Sequence, residues 1–391
     1  NTFEQHQLAR RPILIPSRSA VIKSLAAAAM PMLAGCALPS AGKRANYTLS
    51  GTALRRVNVS EERIIRTVAG LRPFRRNGFN VSAERRNDKV LVHNYGHGGG
   101  GITLSWGSSH LAMELALATP HKQAAVLGCG ALGLTAARLM QDRGWDVTIF
   151  ARDLPPHTTS NIAGGQWSAT SVYERTSVNP RFMGQFEQAQ AHSYRYFQNL
   201  VGSKYGVRWI TNYSILGDEA PDAQPSLPER YPQFYPQRAI LGAGEHPFPV
   251  ERVHHYDTML VEPAVFLPAL MQDFFNAGGK MEVREFHSAD ELMTMNEPVI
   301  INCTGLGAKA LFDDDNMMPI KGQLSFLLPQ SEVNYIIVGN GGLYMFPRSD
   351  GVLLGGTYER DVYDATPDLS KVPDIVAGHR RFFNAMDDPW S

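Results

Sequence analysis

The chain has 391 residues, with 37 Lys+Arg against 37 Asp+Glu, a formal net charge of zero and 43% apolar residues. That balance leaves no electrostatic footprint for nucleic acid, and the length allows two or three domains around a substantial core. No apolar run has the length of a retained transmembrane helix. The three cysteines, without CxxC or Cys/His spacing, support neither a disulfide framework nor a metal site.

Residues 1–36 read as an export signal. Arg10, Arg11, Arg18 and Lys23 precede a short apolar run from residue 25 to 35, which Cys36 closes. Leu33-Ala34-Gly35-Cys36 resembles a bacterial lipoprotein box. The expectation is therefore an exported protein, periplasmic or membrane-anchored through an acylated Cys36. Arg10-Arg11 loosely matches a twin-arginine signal, and residues 37–54 read as a polar tether.

After residues 63–69 and Gly70-Leu71-Arg72-Pro73, the pattern predicts a strand at 89–93 and a helix at 102–118. Between them lies His93-Asn94-Tyr95-Gly96-His97-Gly98-Gly99-Gly100-Gly101-Ile102-Thr103. Glycines opening a helix leave bare N–H groups beside its positive end, a setting for an electron-rich ring or a phosphate. A short link at 119–122 leads to a β-α-β unit: strand 124–127, helix 131–143, strand 146–150. Residues 181–280 read as aromatic, proline-rich and irregular apart from a helix at 266–277. A buried strand follows at 298–303, then strands at 322–328, 334–338, 342–346 and 352–357, and a final helix at 374–385.

The β-α-β unit carries Gly128-Cys129-Gly130-Ala131-Leu132-Gly133 between strand and helix, where a dinucleotide fingerprint belongs. Gly128 permits the tight turn, Gly130 admits a pyrophosphate, Leu132 opens the helix, and Gly133 lets it pack on the strand. Arg152 and Asp153 end the next strand. Asp153 suits ribose hydroxyls; Arg152 suits adenine or a phosphate, so this unit alone admits NADP as well as FAD. Cys129 and Cys303 read as small buried hydrophobes.

The glycine loop and fingerprint occur together with Thr158-Thr159-Ser160, Ala163-Gly164-Gly165-Gln166-Trp167, Ile301-Asn302-Cys303-Thr304-Gly305, Lys321-Gly322-Gln323 and Gly70-Leu71-Arg72-Pro73. This set resembles the D-amino-acid oxidase family of FAD flavoenzymes over nearly everything after residue 55. The resemblance implies an α/β fold, with an FAD-binding Rossmann-type domain and a second, mixed-sheet substrate domain. The order departs from the family pattern. Residues 55–122 resemble the family's C-terminal part, and residues 123–391 its N-terminal FAD-binding and substrate parts. We read this as a circular permutation, tolerated where natural termini lie close.

The resemblance also implies roles. Thr158, Thr159, Ser160, Gly165 and Gln166, with Gly98, Gly100, Gly101, Ile102 and Thr103, would line the FAD. Arg72 would clamp the substrate carboxylate in a bidentate fork, Tyr344 would donate to the same group, and the Gly99 carbonyl would accept from the amine. Arg75 and Arg76 read as solvated charges. His93 and His97 would order the loop rather than act as bases, because hydride passes directly from Cα to flavin N5. Asn340 stands where the mammalian pattern has a further tyrosine, a gap for Tyr335 or Tyr231 to fill, while His254, His255 and Tyr256 read as strand or pocket lining. The implied activity is oxidative deamination of D-amino acids to 2-oxo acids, ammonia and hydrogen peroxide. The alternatives are a quinone-linked dehydrogenase, an NADP-dependent oxidoreductase and a catalytically silent flavin-binding protein.

Overall fold

The computed structural model describes residues 53–217, 225–339 and 343–387. The export and lipid-anchor expectations at residues 1–36, most of the tether, and Asn340 lie outside the described residues. No described helix is long and apolar enough to cross a membrane.

In chain order the first elements are β1 (Ile64–Arg75), β2 (Asn80–Arg86), β3 (Lys89–Tyr95), α1 (Gly101–Leu117), β4 (Gln123–Leu127), α2 (Ala131–Gln141), β5 (Asp146–Ala151) and the short α3 (Thr159–Ile162). Then come α4 (Pro180–Asn199), β6 (Val207–Ile215), α5 (Leu227–Arg230), β7 (Ala239–Leu241), β8 (Val253–Val261), α6 (Pro263–Asn276), β9 (Lys280–Val283) and α7 (Ala289–Met293). The last are β10 (Val299–Asn302), α8 (Gly307–Phe312), β11 (Met317–Leu327), β12 (Tyr335–Val338), β13 (Tyr344–Arg348), β14 (Gly351–Gly355), β15 (Glu359–Arg360) and α9 (Val372–Asn384).

One sheet has the order β2-β3-β10-β4-β5-β9. Its strands are parallel except β2, which is antiparallel to β3. Val90, Leu91, Val92, Ala124, Ala125, Val126, Val299, Ile300 and Ile301 are all buried. This is the continuous apolar run that a parallel strand covered on both faces requires. Asn302 lies opposite both His93 and Leu127, so β3, β10 and β4 end at one level. Helix α1 starts at that level and returns to the opposite edge, and residues 118–122 suffice to enter β4. Thus β3-α1-β4 is an ordinary parallel crossover passing over β10.

The second sheet runs β1-β11-β14-β13-β12-β6-β8-β7, with β15 paired to β11. It is mixed: β12 and β6 are parallel, and its other pairs are antiparallel. Tyr213, Ile337, Met345 and Leu354 on one face pack with Val376 and Phe383 of α9. Ile210, Ile336, Phe346 and Leu353 form an apolar cluster with Leu260 and Leu324.

Two expectations about the elements need correction. Residues 181–280 are not irregular: they contain most of α4 together with β6, β7 and β8. Asn179 caps α4 by accepting from Phe182 N at 2.9 Å, Pro180 occupies the first turn, and Phe182, Phe186, Ala189 and Phe197 form the buried stripe. Polar and aromatic residues between those positions hid the period. Strand β1 runs unbroken through Gly70 and Pro73, because Pro73 lies opposite Pro319 in the register. Strand β11 begins at Met317, ahead of the expected residue 322, and β2 was not anticipated.

Candidate functional site

A cavity of about 1360 Å3 extends from the carboxyl ends of β3, β4 and β10 to the second sheet. Pockets for drug-sized ligands occupy roughly 300–1,000 Å3, so this one has room for a cofactor and a substrate together.

At the fingerprint, Gly128 has φ +101°, and a Cβ there would stand 2.6 Å from the Cys303 carbonyl oxygen. Only glycine lets the loops after β4 and β10 close against each other. Gly130 and Leu132 line the cavity at the start of α2, and the Ala131 N–H there donates to Ser160 Oγ at 3.0 Å. Gly133 does not line it: a Cβ at Gly133 would meet the Gly128 carbonyl at 1.9 Å, so this glycine serves packing of helix on loop.

Beyond β5, the Arg152 guanidinium lies 2.8 Å from Asp153 and 3.2 Å from Glu285. Two carboxylates on one cation leave a net negative charge, which suits ribose hydroxyls and opposes an additional phosphate. That removes the footing for NADP. Glu285 was missed in the sequence because nothing adjacent in the chain marks it. It arrives because β9 pairs with β5 and Arg284 N donates to the Ala151 carbonyl.

The glycine loop is more occupied than its composition implies. Gly99 N donates to Ser171 O and Gly100 N to His97 O, each at 3.0 Å. Gly100 packs against Val172 and does not line the cavity, a correction to its expected place. Gly98, Gly99, Gly101, Ile102 and Thr103 do line it. The Thr103 hydroxyl is engaged on both sides by Ser168, donating to its carbonyl and accepting from its N–H at 3.0 Å. Thr158, Thr159, Ser160, Gly165 and Gln166 complete this wall, with Thr158 Oγ1 bonded to Asn161 and Gln166 Nε2 donating to Asn212 Oδ1 at 2.9 Å. Two long helices, α1 and α2, thus begin at the wall of one cavity whose close approach is secured by Gly128, an arrangement that fits FAD.

At the other end stands Arg72. Its guanidinium lies over Gly322, where a Cβ would come within 2.4 Å of Nη1. Nη2 donates to the Tyr344 hydroxyl at 3.4 Å, whereas Nη1 is buried without a partner. No carboxylate among the described residues pairs with Arg72, so a structural salt bridge is not its purpose. The Tyr344 ring lies over Gly355, where a Cβ would overlap it at 1.8 Å. Burial pushes the Tyr344 phenol up, which keeps it a neutral hydroxyl. Arg75, expected as a solvated charge, is instead a paired one: Nε lies 2.8 Å from Asp314, and Nη1 donates to Gly78 O.

Burial pulls His97 down to about 3, and its ring stacks on Phe79 at 4.7 Å. His93 lies between Asn302 and Glu84 and lines a separate cavity of about 610 Å3. Burial pushes the Cys129 and Cys303 thiols up to about 12, so both remain unreactive. Neither Tyr335 nor Tyr231 lines the main cavity: Tyr335 donates to Arg55 O at 2.8 Å, and Tyr231 sits against Arg230. Tyr256 does line it, with its hydroxyl 3.5 Å from Ser214 Oγ.

Residues 123–390 match the family model described as FAD dependent oxidoreductase. A D-amino-acid oxidase of Rubrobacter xylanophilus is 28% identical over 258 residues, covering 65% of this chain and 75% of that protein. One of Streptomyces coelicolor is 28% identical over 256 residues, covering 64% and 73%. A solved glycine oxidase of Bacillus cereus aligns with 68% of this chain and 79% of its own, at 14% identity and TM-score 0.49.

Proposed function

We propose, because this chain belongs to the FAD-dependent oxidoreductase family, that it oxidatively deaminates D-amino acids to 2-oxo acids and ammonia, with oxygen as acceptor. The observation that carries this reading is the Arg72–Tyr344 pair. A cation with a buried, unpartnered N–H, beside a neutral phenol in the same cavity as the cofactor wall, calls for a carboxylate. Bound FAD supplies a two-electron acceptor for hydride from the substrate Cα.

The chain's own groups bind and orient. Arg72 and Tyr344 fix the carboxylate, and Gly99, on the cavity wall, offers its carbonyl to the amine. Buried and neutral, His97 orders the glycine loop and takes no proton from substrate. Gly128, Gly130 and Leu132 would bring the α2 terminus to the pyrophosphate of a bound FAD, Asp153 and Glu285 would take its ribose, and Gly98, Gly101, Ile102 and Thr103 would hold the flavin edge. Rate then comes from position and field rather than from a side-chain base.

A circular permutation accounts for how these parts come together. The family match begins at residue 123, while Arg72 and the glycine loop precede it. Arg55 O and Met386 Sδ both meet the Tyr335 hydroxyl, and Arg56 Nη2 donates to Met386 O at 2.8 Å. An unpermuted chain would join there. Export, and anchoring through acylated Cys36, is proposed on the sequence of residues 1–36 alone.

The test is turnover of the FAD-loaded chain with paired D- and L-amino acids in air. Ammonia, 2-oxo acid and peroxide from D-isomers alone are expected. Turnover that needs an added quinone overturns oxygen as acceptor, and equal turnover of L-isomers overturns the stereochemical assignment.

A further inference from the structure

The inner face of the second sheet carries a row of which the sequence singled out only the two ends, Tyr344 and His254. Tyr344 of β13 lies opposite Val338 of β12, Val338 opposite Ser214 of β6, and Ser214 opposite His254 of β8. Residues directly opposite on neighbouring strands project to one face, and all four line the main cavity. The row crosses three strand spacings, about 14 Å. Its near end holds the carboxylate clamp of the proposed function, and on that reading its far end meets whatever the substrate carries on Cα.

That far end is polar and fixed. His254 is 5% exposed, its ring packs edge-on to Tyr256 at 5.4 Å, and neither ring nitrogen has a hydrogen-bond partner among the described residues. The Ser214 and Tyr256 hydroxyls stand beside it, while Leu216, Leu227 and Pro228 supply apolar wall. Burial draws His254 down from its ordinary value, so the ring presents one N–H and one lone pair. Ring nitrogens that open to the cavity without a protein partner are free to bond a ligand there.

We propose that His254, with Ser214 and Tyr256, selects D-amino acids whose long side chain ends in a neutral hydrogen-bonding head such as an amide or ureide. The apolar wall takes the methylenes and His254 takes the head. An aliphatic end leaves the imidazole desolvated and unpaired, and that disfavours such substrates.

The FAD-loaded chain is mixed anaerobically with D-glutamine, D-citrulline, D-methionine and D-alanine, and flavin reduction is followed as a function of concentration. D-methionine matches D-glutamine in length without its amide, and D-alanine is too short to reach His254. The wild type is expected to favour D-glutamine and D-citrulline over D-methionine. His254→Leu should lower kcat/KM on the two polar substrates about tenfold or more, mostly through KM. D-alanine should change little, D-methionine should improve because the unpaired imidazole is gone, and His254→Gln should restore much of the loss on the polar substrates. Equal losses on all four substrates, or an unchanged preference in His254→Leu while D-alanine still reduces the flavin, overturn this assignment alone. Reduction by no D-amino acid overturns the deaminase reading and this one with it.

Discussion

Arg72 depends on a residue that never touches substrate. Because the guanidinium lies against Gly322, a methyl there would displace Nη1 from a position 2.4 Å away. Gly322→Ala should therefore raise KM for a D-amino acid as far as Arg72→Lys does, about tenfold or more, with FAD still bound. A variant with unchanged KM would show that the guanidinium is held by something else. His97 gives a second check. Its unfolded value of 6.5 falls to about 3 in the folded protein, so between those values the unfolded chain binds a proton that the folded chain refuses. Stability is then lost as pH falls through 6.5, by about 2 kcal/mol between pH 7 and pH 5 for this group. His97→Phe, which keeps the stack on Phe79, should flatten the fall of Tm over that range, and an unchanged slope would contradict the assignment. At this scale Arg72 is expected in the pocket from its Gly-x-Arg-Pro setting, and it lines the cavity. His254 reads as strand or pocket lining and stands on β8 at the cavity wall. Glu285 was not legible, because it reaches the cavity only through strand register.

Helix α1 links the glycine loop to the rest of the molecule, and it does so by lying against α4. A Cβ at Gly107 would stand 1.9 Å from the Ala189 carbonyl, and Gly107 N donates to Ser193 Oγ at 2.8 Å. Gly107→Ala should force the helices apart, costing about 1–3 kcal/mol or more, and weaken FAD binding because the loop begins α1. A Tm within a degree or so of the wild type would refute that coupling. Helix α1 itself was legible as a run of small and apolar residues. Its partner was not: only one side of α4 is buried, and residues such as Gln190 and Ser193 complete that side, so a reading by hydrophobicity alone missed it. The strands of the parallel sheet were legible because burial on both faces makes them continuously apolar.

At the scale of the whole molecule, the proposed permutation rests on where the parts of the chain meet. Helix α1 delivers the chain to β4 through residues 118–122, while residues 55 and 386 meet at the Tyr335 hydroxyl. A chain re-ordered to start at Lys122, with residues 387 and 55 joined by a short flexible linker and an end at Ala118, should fold and bind FAD with affinity near that of the parent. An insoluble or flavin-free product would contradict the permutation. The proposed order was read from motifs that keep their own local signatures wherever they stand. The second sheet's order was not, since its strands come from distant parts of the chain and short apolar runs do not specify their partners.

A carboxylate clamp facing a flavin site has a visible consequence in anaerobic bleaching. The FAD-loaded chain and its Arg72→Ala variant are each mixed with a D- or L-amino acid without oxygen, and the visible absorption of oxidised flavin is followed. Bleaching by the D-isomer only is expected, with half-saturation in the variant shifted upward by about a hundredfold or lost. Bleaching by neither isomer, or by both alike in wild type and variant, would contradict it.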